Sequence, residues 1–423
     1  MRKISKISLV AAVAVAGFST ANAQPLEEAI KNVDVSGSVV YRYDNFSNNS
    51  EFKGQGTSTD RNRYKIGLNL SSKVNDYVKF NSRFIVGGAD SGFATTNAKK
   101  GGGDGNVDVK LSNAYFGFTA IPNTVINIGK MGLATPYTVA TDINGNEQNG
   151  TGILALTNFS VVTLGAGYFN NQNFGQQLTD INATMGLNSN IVNSIAAGTL
   201  DGGNDIYVAT AQADLDFVKL EAWYLGLRDT WNSYTLAATS KIDLAENAKL
   251  GLEARYVQLA LDSEVEKNLG LDDDKNSMFR FAVDGKFSIV NARLAYTQTG
   301  KDGGLTAVDQ DAKNTSLGWF ISSNGIADAK YFQVALGADI LDNLNFTAHY
   351  GNLKADGSKD ITLNTALVGP DLDLKQQEVY GQLTYKMSKN LNTYLRYGKY
   401  EQKVDGDKVV NQNAGRLQVA YTF

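Results

Sequence analysis

From Val33 to the terminal Phe423, apolar and polar residues alternate with period 2, and this pattern constrains the fold more than any motif does. Val33, Val35, Gly37, Val39, Tyr41 and Tyr43 share one face, with Asp34, Ser36, Ser38 and Arg42 on the other. Tyr64, Ile66, Leu68 and Leu70 alternate with Arg63, Lys65, Gly67 and Asn69; Val78, Phe80 and Phe84 alternate with Lys79, Asn81 and Arg83. At the C-terminus Leu417, Val419, Tyr421 and Phe423 oppose Arg416, Gln418, Ala420 and Thr422. Each such strand stands between two solvents. Further strands are read near 109–120, 125–130, 152–157, 161–169, 206–215, 217–226, 232–243 and 248–259. The last are near 277–287, 289–299, 329–340, 344–353, 376–387, 391–400 and 414–423. That makes about eighteen, an even number, as a bacterial barrel with both ends on one side requires.

The connections carry a second regularity. Residues 72–76, 121–123, 244–247, 341–343 and 388–390 are tight turns, and between them lie long polar segments at 45–60, 88–106, 170–205, 300–328 and 354–375. A soluble all-β array has no reason to keep that parity. The sequence therefore predicts an all-β fold, a transmembrane antiparallel β-barrel with short periplasmic turns and long external loops.

The ends and the composition fit that class. Arg2, Lys3 and Lys6, an apolar run over 7–18 and Ala21-Asn22-Ala23 read as a signal peptide over 1–23, leaving 24–423 as one barrel domain. Its removal takes the formal charge from −4 to −7, since it holds three basic residues and no acid, and a mildly acidic chain argues against a nucleic-acid partner. No later stretch approaches the roughly 18 apolar residues of a membrane helix. With Cys 0, stability must come from closure and pairing; Gly 42, Tyr 20 and Phe 19 against Pro 4 describe many turns, many aromatics and few strand breakers. Residues 25–31 read as a short helical turn ahead of the first strand.

The run Pro25-Leu26-Glu27-Glu28-Ala29-Ile30-Lys31-Asn32-Val33-Asp34-Val35-Ser36-Gly37, followed by Tyr41-Arg42-Tyr43-Asp44, closely resembles the mature N-terminus of the major outer membrane porins of Campylobacter and its relatives. The likeness extends more loosely through Gly129-Lys130 to the closing Arg416-Leu417-Gln418-Val419-Ala420-Tyr421-Thr422-Phe423, while the loops between match poorly. The resemblance implies an eighteen-stranded homotrimeric porin of the cell outer membrane, somewhat cation-preferring, with a constriction loop folded into the pore. The strand parity makes 414–423 the strand that closes the barrel against 33–43, with Tyr421 and Phe423 as its terminal aromatics, and resemblance to outer-membrane proteins generally makes Phe423 the end of the signal read by the insertion machinery.

Residues 131–151 form the third external loop in this reading, the one that general porins fold inward. They contain Asp142 and Glu147 and no Lys or Arg, so an inward position puts negative charge in the pore; the plain alternative is an ordinary exposed loop. Periodicity places a basic wall opposite: Arg42, Arg63, Lys65, Lys79 and Arg83 from the first three strands, Arg396 and Arg416 from the last two. Closure makes these strands neighbours. An acidic loop across a narrow gap from such a wall gives a transverse field. The alternative is scattered luminal charges paired with Asp34 and Glu378.

Other signals are weak. Gly101-Gly102-Gly103-Asp104-Gly105 lacks the Lys-Ser/Thr and helix of a phosphate loop. Asp272-Asp273-Asp274 lacks the spacing and terminal Glu of a calcium loop, so no motif supports a divalent cation such as calcium, and no cofactor is implied. The single histidine, His349, falls on a polar strand face near Gln333, Ala335, Gln382 and Thr384, none of them a serine nucleophile. Tyr41, Tyr43, Tyr256, Tyr296, Tyr350, Tyr385, Tyr397, Tyr421 and Phe423 read as interfacial girdles in contact with outer-membrane lipid. The reading is a porin for passive diffusion of ions and small hydrophilic solutes, not an enzyme. Its rivals are a substrate-specific channel for acidic nutrients and a surface adhesin or structural barrel.

Overall fold

The computed structural model describes residues 33–48, 58–88, 91–95, 108–174, 205–269, 273–356 and 373–423. The segments read as signal peptide and first helical turn, and Gly101 to Gly105, lie outside them. The strands are β1 (Val33–Asn48), β2 (Ser58–Asn75), β3 (Val78–Gly87), β4 (Ala94–Thr95), β5 (Asp108–Phe118), β6 (Thr124–Gly132), β7 (Asn149–Phe159), β8 (Val162–Gln172), β9 (Ile206–Asp214) and β10 (Val218–Leu227). The second half comprises β11 (Trp231–Ala245), β12 (Ala248–Leu261), β13 (Lys275–Phe287), β14 (Val290–Thr299), β15 (Ala329–Leu341), β16 (Leu344–Ala355), β17 (Leu374–Lys386), β18 (Leu391–Val404) and β19 (Asp407–Thr422).

Every pairing is antiparallel, and all join sequence neighbours except the closing pair β1–β19 and the pairings around the two-residue β4, which pairs only with β2 and leaves β3 to pair with β5. The barrel wall is thus the other eighteen strands. β1 pairs with β2 on one side and β19 on the other, with Tyr41 opposite Tyr64 and Val419, so the sheet has no free edge. Closure is a physical requirement here, because an unpaired strand edge cannot be hydrated in a bilayer.

The last residue takes part in that closure. The Gly37 amide donates to the Phe423 carbonyl at 2.9 Å, and the Phe423 amide donates in return to the Gly37 carbonyl at 3.1 Å. A Cβ on Gly37 would fall 2.7 Å from Phe423 Cζ and would also collide with the Gly67 carbonyl, so the terminal ring lies over a position that only glycine leaves open.

The two faces of the wall are inverted relative to a soluble protein. Outward apolar side chains stay uncovered: Val35, Phe281, Leu294, Leu336 and Leu395 are between 44% and 57% exposed. On the opposite face Arg42, Lys65, Lys79, Thr235 and Arg255 are buried. Apolar outside and polar inside is stable only with hydrocarbon as the outer solvent. A buried apolar cluster of Met131, Leu133 and Tyr137 with Phe169, Leu225, Trp231, Val257 and Met278 packs the chain after β6 against the wall.

The connections depart from strict alternation at two places. Arg228–Asp229–Thr230 and Asp405–Gly406 are tight links at the end where long segments were expected throughout. In the second, Asp405 (φ 50°) and Gly406 (φ 86°) both adopt left-handed backbone and Val404 pairs with Asp407, a two-residue hairpin whose twist suits the strands.

Candidate functional site

Four arginines come together where the barrel closes. Arg42 on β1 is directly opposite Arg63 on β2, and Arg396 on β18 is opposite Arg416 on β19. Like charges facing each other on neighbouring strands destabilise a sheet. Here the fully buried Asp44 carboxylate offsets them, accepting Arg416 Nε at 2.5 Å and Arg63 Nη2. Arg42 Nε donates to Gln418 Oε1 at 2.8 Å, and Arg396 donates twice to Gln382 Oε1, at 2.8 and 2.6 Å. Aromatic rings cover both ends of the row: Phe93 lies 4.2 Å from the Arg42 guanidinium, and Trp319 lies 5.1 Å from that of Arg396 and 5.9 Å from that of Arg416.

Residues 133–148 are anchored beside this row. Arg42 Nη1 donates to the Ile143 carbonyl at 2.9 Å, and Lys65 Nζ donates to the Gly145 carbonyl. Glu147, only 2% exposed, pairs with Lys65 at 2.5 Å and with Arg83 at 3.0 Å, and accepts Ser112 Oγ at 3.1 Å. Burial alone would push the Glu147 carboxyl up. The hydrogen bond from Arg83 and the charges of Lys65 and Arg83 outweigh it and hold the group below the usual carboxylate range. With Thr141 Oγ1 donating at 3.1 Å from the segment itself, four donors, the others on β2, β3 and β5, satisfy one carboxylate.

Asp142 has a different task. Its Oδ1 accepts the amides of Asn144 and Asn146, both at 2.8 Å, and its Oδ2 accepts Asn146 Nδ2 at 2.9 Å, which folds the tip of the segment around Gly145 (φ 85°). Burial pushes its carboxyl up in spite of these bonds.

The expectation of an acidic loop separated by a gap from a basic wall is corrected at Glu147. It touches Lys65 and Arg83, because a buried carboxylate is stable only when paired. Arg42 is buried under the segment and Phe93. Lys79 belongs to neither group: it lies 3.6 Å from Asp34. Arg63, Arg396 and Arg416 share the row with Asp44, a partner the alternation pattern left unassigned. Tyr421 and Phe423 stack at 5.9 Å at the seam.

Residues 300–328, read from sequence as an ordinary long polar loop, also pack on polar-face side chains. Arg280 on β13 donates to the carbonyls of Lys313, at 2.8 Å, and Thr315, and pairs with Glu253 at 2.6 Å. Among the described residues Glu378 on β17 pairs with no arginine; it accepts the amides of Trp319, Phe320 and Ile321 at 2.8 to 3.4 Å, an anion held in a nest of backbone donors. A Cβ on Gly318 would overlap that carboxylate. The run Trp319-Phe320-Ile321 was the available signal, since three large apolar residues are out of place in a hydrated loop. His349 stacks on Tyr380 with centroids 4.4 Å apart and planes 12° apart, and its cross-strand partners are Ala335 and Tyr380. Among the described residues, no cluster of three or more His, Cys, Asp or Glu could hold a metal ion.

Comparison with known proteins agrees with this architecture. The family model described as Campylobacter major outer membrane protein matches residues 1–423. No curated protein sequence matches. Among solved structures, OccAB3 of Acinetobacter baumannii is similar with a TM-score of 0.69 at 14% identity, over 93% of this chain and 99% of that one. OpdL of Pseudomonas aeruginosa gives 0.68 at 15%, over 93% and 99%, and the outer membrane protein OprD of Pseudomonas aeruginosa 0.64 at 18%, over 92% and 93%. At these identities the likeness is one of fold.

Proposed function

The chain belongs to the Campylobacter major outer membrane protein family and is a porin of the outer membrane, and from that premise we propose that residues 133–148 form the constriction of its channel. The observation that carries this is the Glu147 network, which ties the segment to Lys65, Arg83 and Ser112 on the polar face of the wall. Solutes pass down their gradients through the hydrated space that the segment leaves open, sorted by size and charge. No chemical step is involved. The porin prefers cations modestly: the chain without residues 1–23 carries a formal charge of −7, and the arginine row is largely covered or paired.

The same reading makes residues 1–23 a signal peptide, 24–423 the barrel domain, and the working form a homotrimer inserted by machinery that reads Phe423. The first two rest on the basic residues, apolar run and small-residue site of residues 1–23, the trimer and the insertion signal on the sequence resemblance. A second reading, a channel specific for acidic solutes, draws on Arg396, whose guanidinium lies 5.0 to 5.4 Å from the rings of Trp319, Tyr380 and Tyr394.

Planar-bilayer recording in a salt gradient tests the cation preference, and liposome swelling separates the two readings. A general pore swells vesicles at rates ordered by solute size. Saturation by a carboxylated solute at low concentration would favour the specific channel, and a reversal potential on the anion side would refute the cation preference.

A further inference from the structure

Residues 133–148 and 300–328 leave the wall at different places, after β6 and after β14, yet they meet. The Val308 amide donates to the Tyr137 carbonyl at 3.0 Å, and the Asn314 amide donates to the Pro136 carbonyl at 2.9 Å. In the opposite direction, the Val139 amide donates to Asp309 Oδ2 at 2.7 Å. Tyr137 is fully buried, and its hydroxyl accepts Thr235 Oγ1 of β11 at 2.8 Å. Asn314 Nδ2 donates to that same Thr235 oxygen at 2.7 Å, and Arg255 Nη1 reaches Asn314 Oδ1 at 3.3 Å. One junction therefore joins both segments to each other and to the wall at β11 and β12.

Their far ends are held elsewhere. The first segment is fixed to β2 and β3 through Glu147, the second to β13 through Arg280 and to β17 through Glu378. Continuous contacts run from the wall at β2 and β3, through both segments, to the wall at β11 to β13 and at β17. A hairpin held only at Glu147 could pivot about that point. Docking at Pro136, Tyr137 and Val139 removes the freedom.

We propose that Tyr137 and Asp309 are positioning residues that lock residues 133–148 and 300–328 into a single strap across the lumen, so that both segments together set the width and ion preference of the passage. The proposal rests on the reading of residues 133–148 as the constriction. Asp309 is 2% exposed, and burial pushes its carboxyl well above the usual range, with Asp142 and Asp311 as further negative neighbours. Its contribution to the junction is the oxygen that accepts the Val139 amide, which an asparagine side chain also offers.

The test uses the full-length protein in planar bilayers, with Asp309→Ala, Asp309→Asn, Tyr137→Ala and a variant in which residues 134–146 are replaced by a short Gly-Ser linker. Heat-modifiable mobility on gels verifies closed barrels, and the Asp309 variants keep the test open if Tyr137→Ala does not fold. Asp309→Ala and Tyr137→Ala are expected to raise single-channel conductance about twofold and to shift the reversal potential, whereas Asp309→Asn restores the wild-type values. Folded Asp309→Ala and Tyr137→Ala channels with wild-type conductance, beside an enlarged conductance in the shortened variant, would overturn the strap and leave the constriction standing. Wild-type conductance in the shortened variant would remove the constriction and the strap with it. An Asp309→Asn channel that behaves like Asp309→Ala would also overturn the proposal, since charge and not the hydrogen bond would then be what matters.

Discussion

Glu147→Gln is the substitution with the most consequence for the channel. The carboxylate is 2% exposed and faces Lys65 Nζ at 2.5 Å and Arg83 Nε at 3.0 Å. Removing one partner of a buried ion pair costs about 3–5 kcal/mol because the other charge is left unmatched. That is on the order of a hundredfold or more in the docking equilibrium of residues 133–148. The barrel ladder uses none of these side chains, so heat-modifiable mobility should stay as in the wild type while single-channel conductance rises and open-channel current becomes noisier. Lys65→Met with Glu147→Gln removes both members of the closest pair and should bring conductance back toward the wild-type value.

The same carboxylate sets a pH dependence. The folded protein holds Glu147 below the usual carboxylate range, so its contribution is present above about pH 4.3, the ordinary glutamate value, and is lost as pH falls through the depressed folded value. Wild-type conductance should therefore climb toward that of Glu147→Gln under strong acid, with the variant flatter there. Glu147→Gln channels that are folded, and that match the wild type in conductance and noise at neutral pH, would refute the claim that this ion pair holds the constriction.

Other expectations follow from the same structure. Burial and the charge of Asp142 push Asp311 up to about 7, so it is neutral below that pH and ionised above it. Cation-over-anion permeability from reversal potentials should rise through about pH 7, and Asp311→Asn should lose that step. Folding stability moves the opposite way, because ionising a carboxyl whose folded value is raised weakens the folded state as pH rises through that window. Asp44→Asn leaves Arg63 and Arg416 without their shared buried carboxylate and should cost about 3–5 kcal/mol, read as a lower temperature of heat modification. Gly37→Ala forces a methyl group against the Phe423 ring and the Gly67 carbonyl and should cost about 1–3 kcal/mol; if its melting temperature equals the wild type's, the terminal ring is not seated on Gly37 in solution.

Much of the wall was legible in the sequence because a barrel between lipid and water writes its register into every second residue. The pairing of the last strand with the first follows from that alternation, and Tyr41 does face Val419. Where both faces meet water the pattern fades. Strands read as ending at Tyr400 and resuming at Ala414 in fact run to Val404 and from Asp407, joined by Asp405–Gly406. Residues 401–413 are polar on most positions of both faces, so periodicity had little to report, although Asp-Gly is itself a hairpin signal.

The candidate site was legible only as a set of residue types. Alternation put Arg42, Lys65 and Arg83 on the polar face and loop order put Glu147 near them, but spacing cannot say whether opposite charges touch or face each other across water. Burial decides that, and the burial of Glu147 depends on residues far away in sequence. Glu378 illustrates the same limit: its partners are backbone amides, which leave no trace in residue identity. Residues 300–328 read as a polar loop because their average polarity hides Trp319, Phe320 and Ile321.

The most direct measurement is the current through single channels of the purified wild-type protein in a planar bilayer, recorded beside the variant in which a short linker replaces residues 134–146. A water-filled barrel narrowed by that segment should give discrete wild-type steps with a linear current–voltage relation and clearly larger steps from the variant. A wild-type membrane that stays at baseline, or steps of equal size from both proteins, would contradict it.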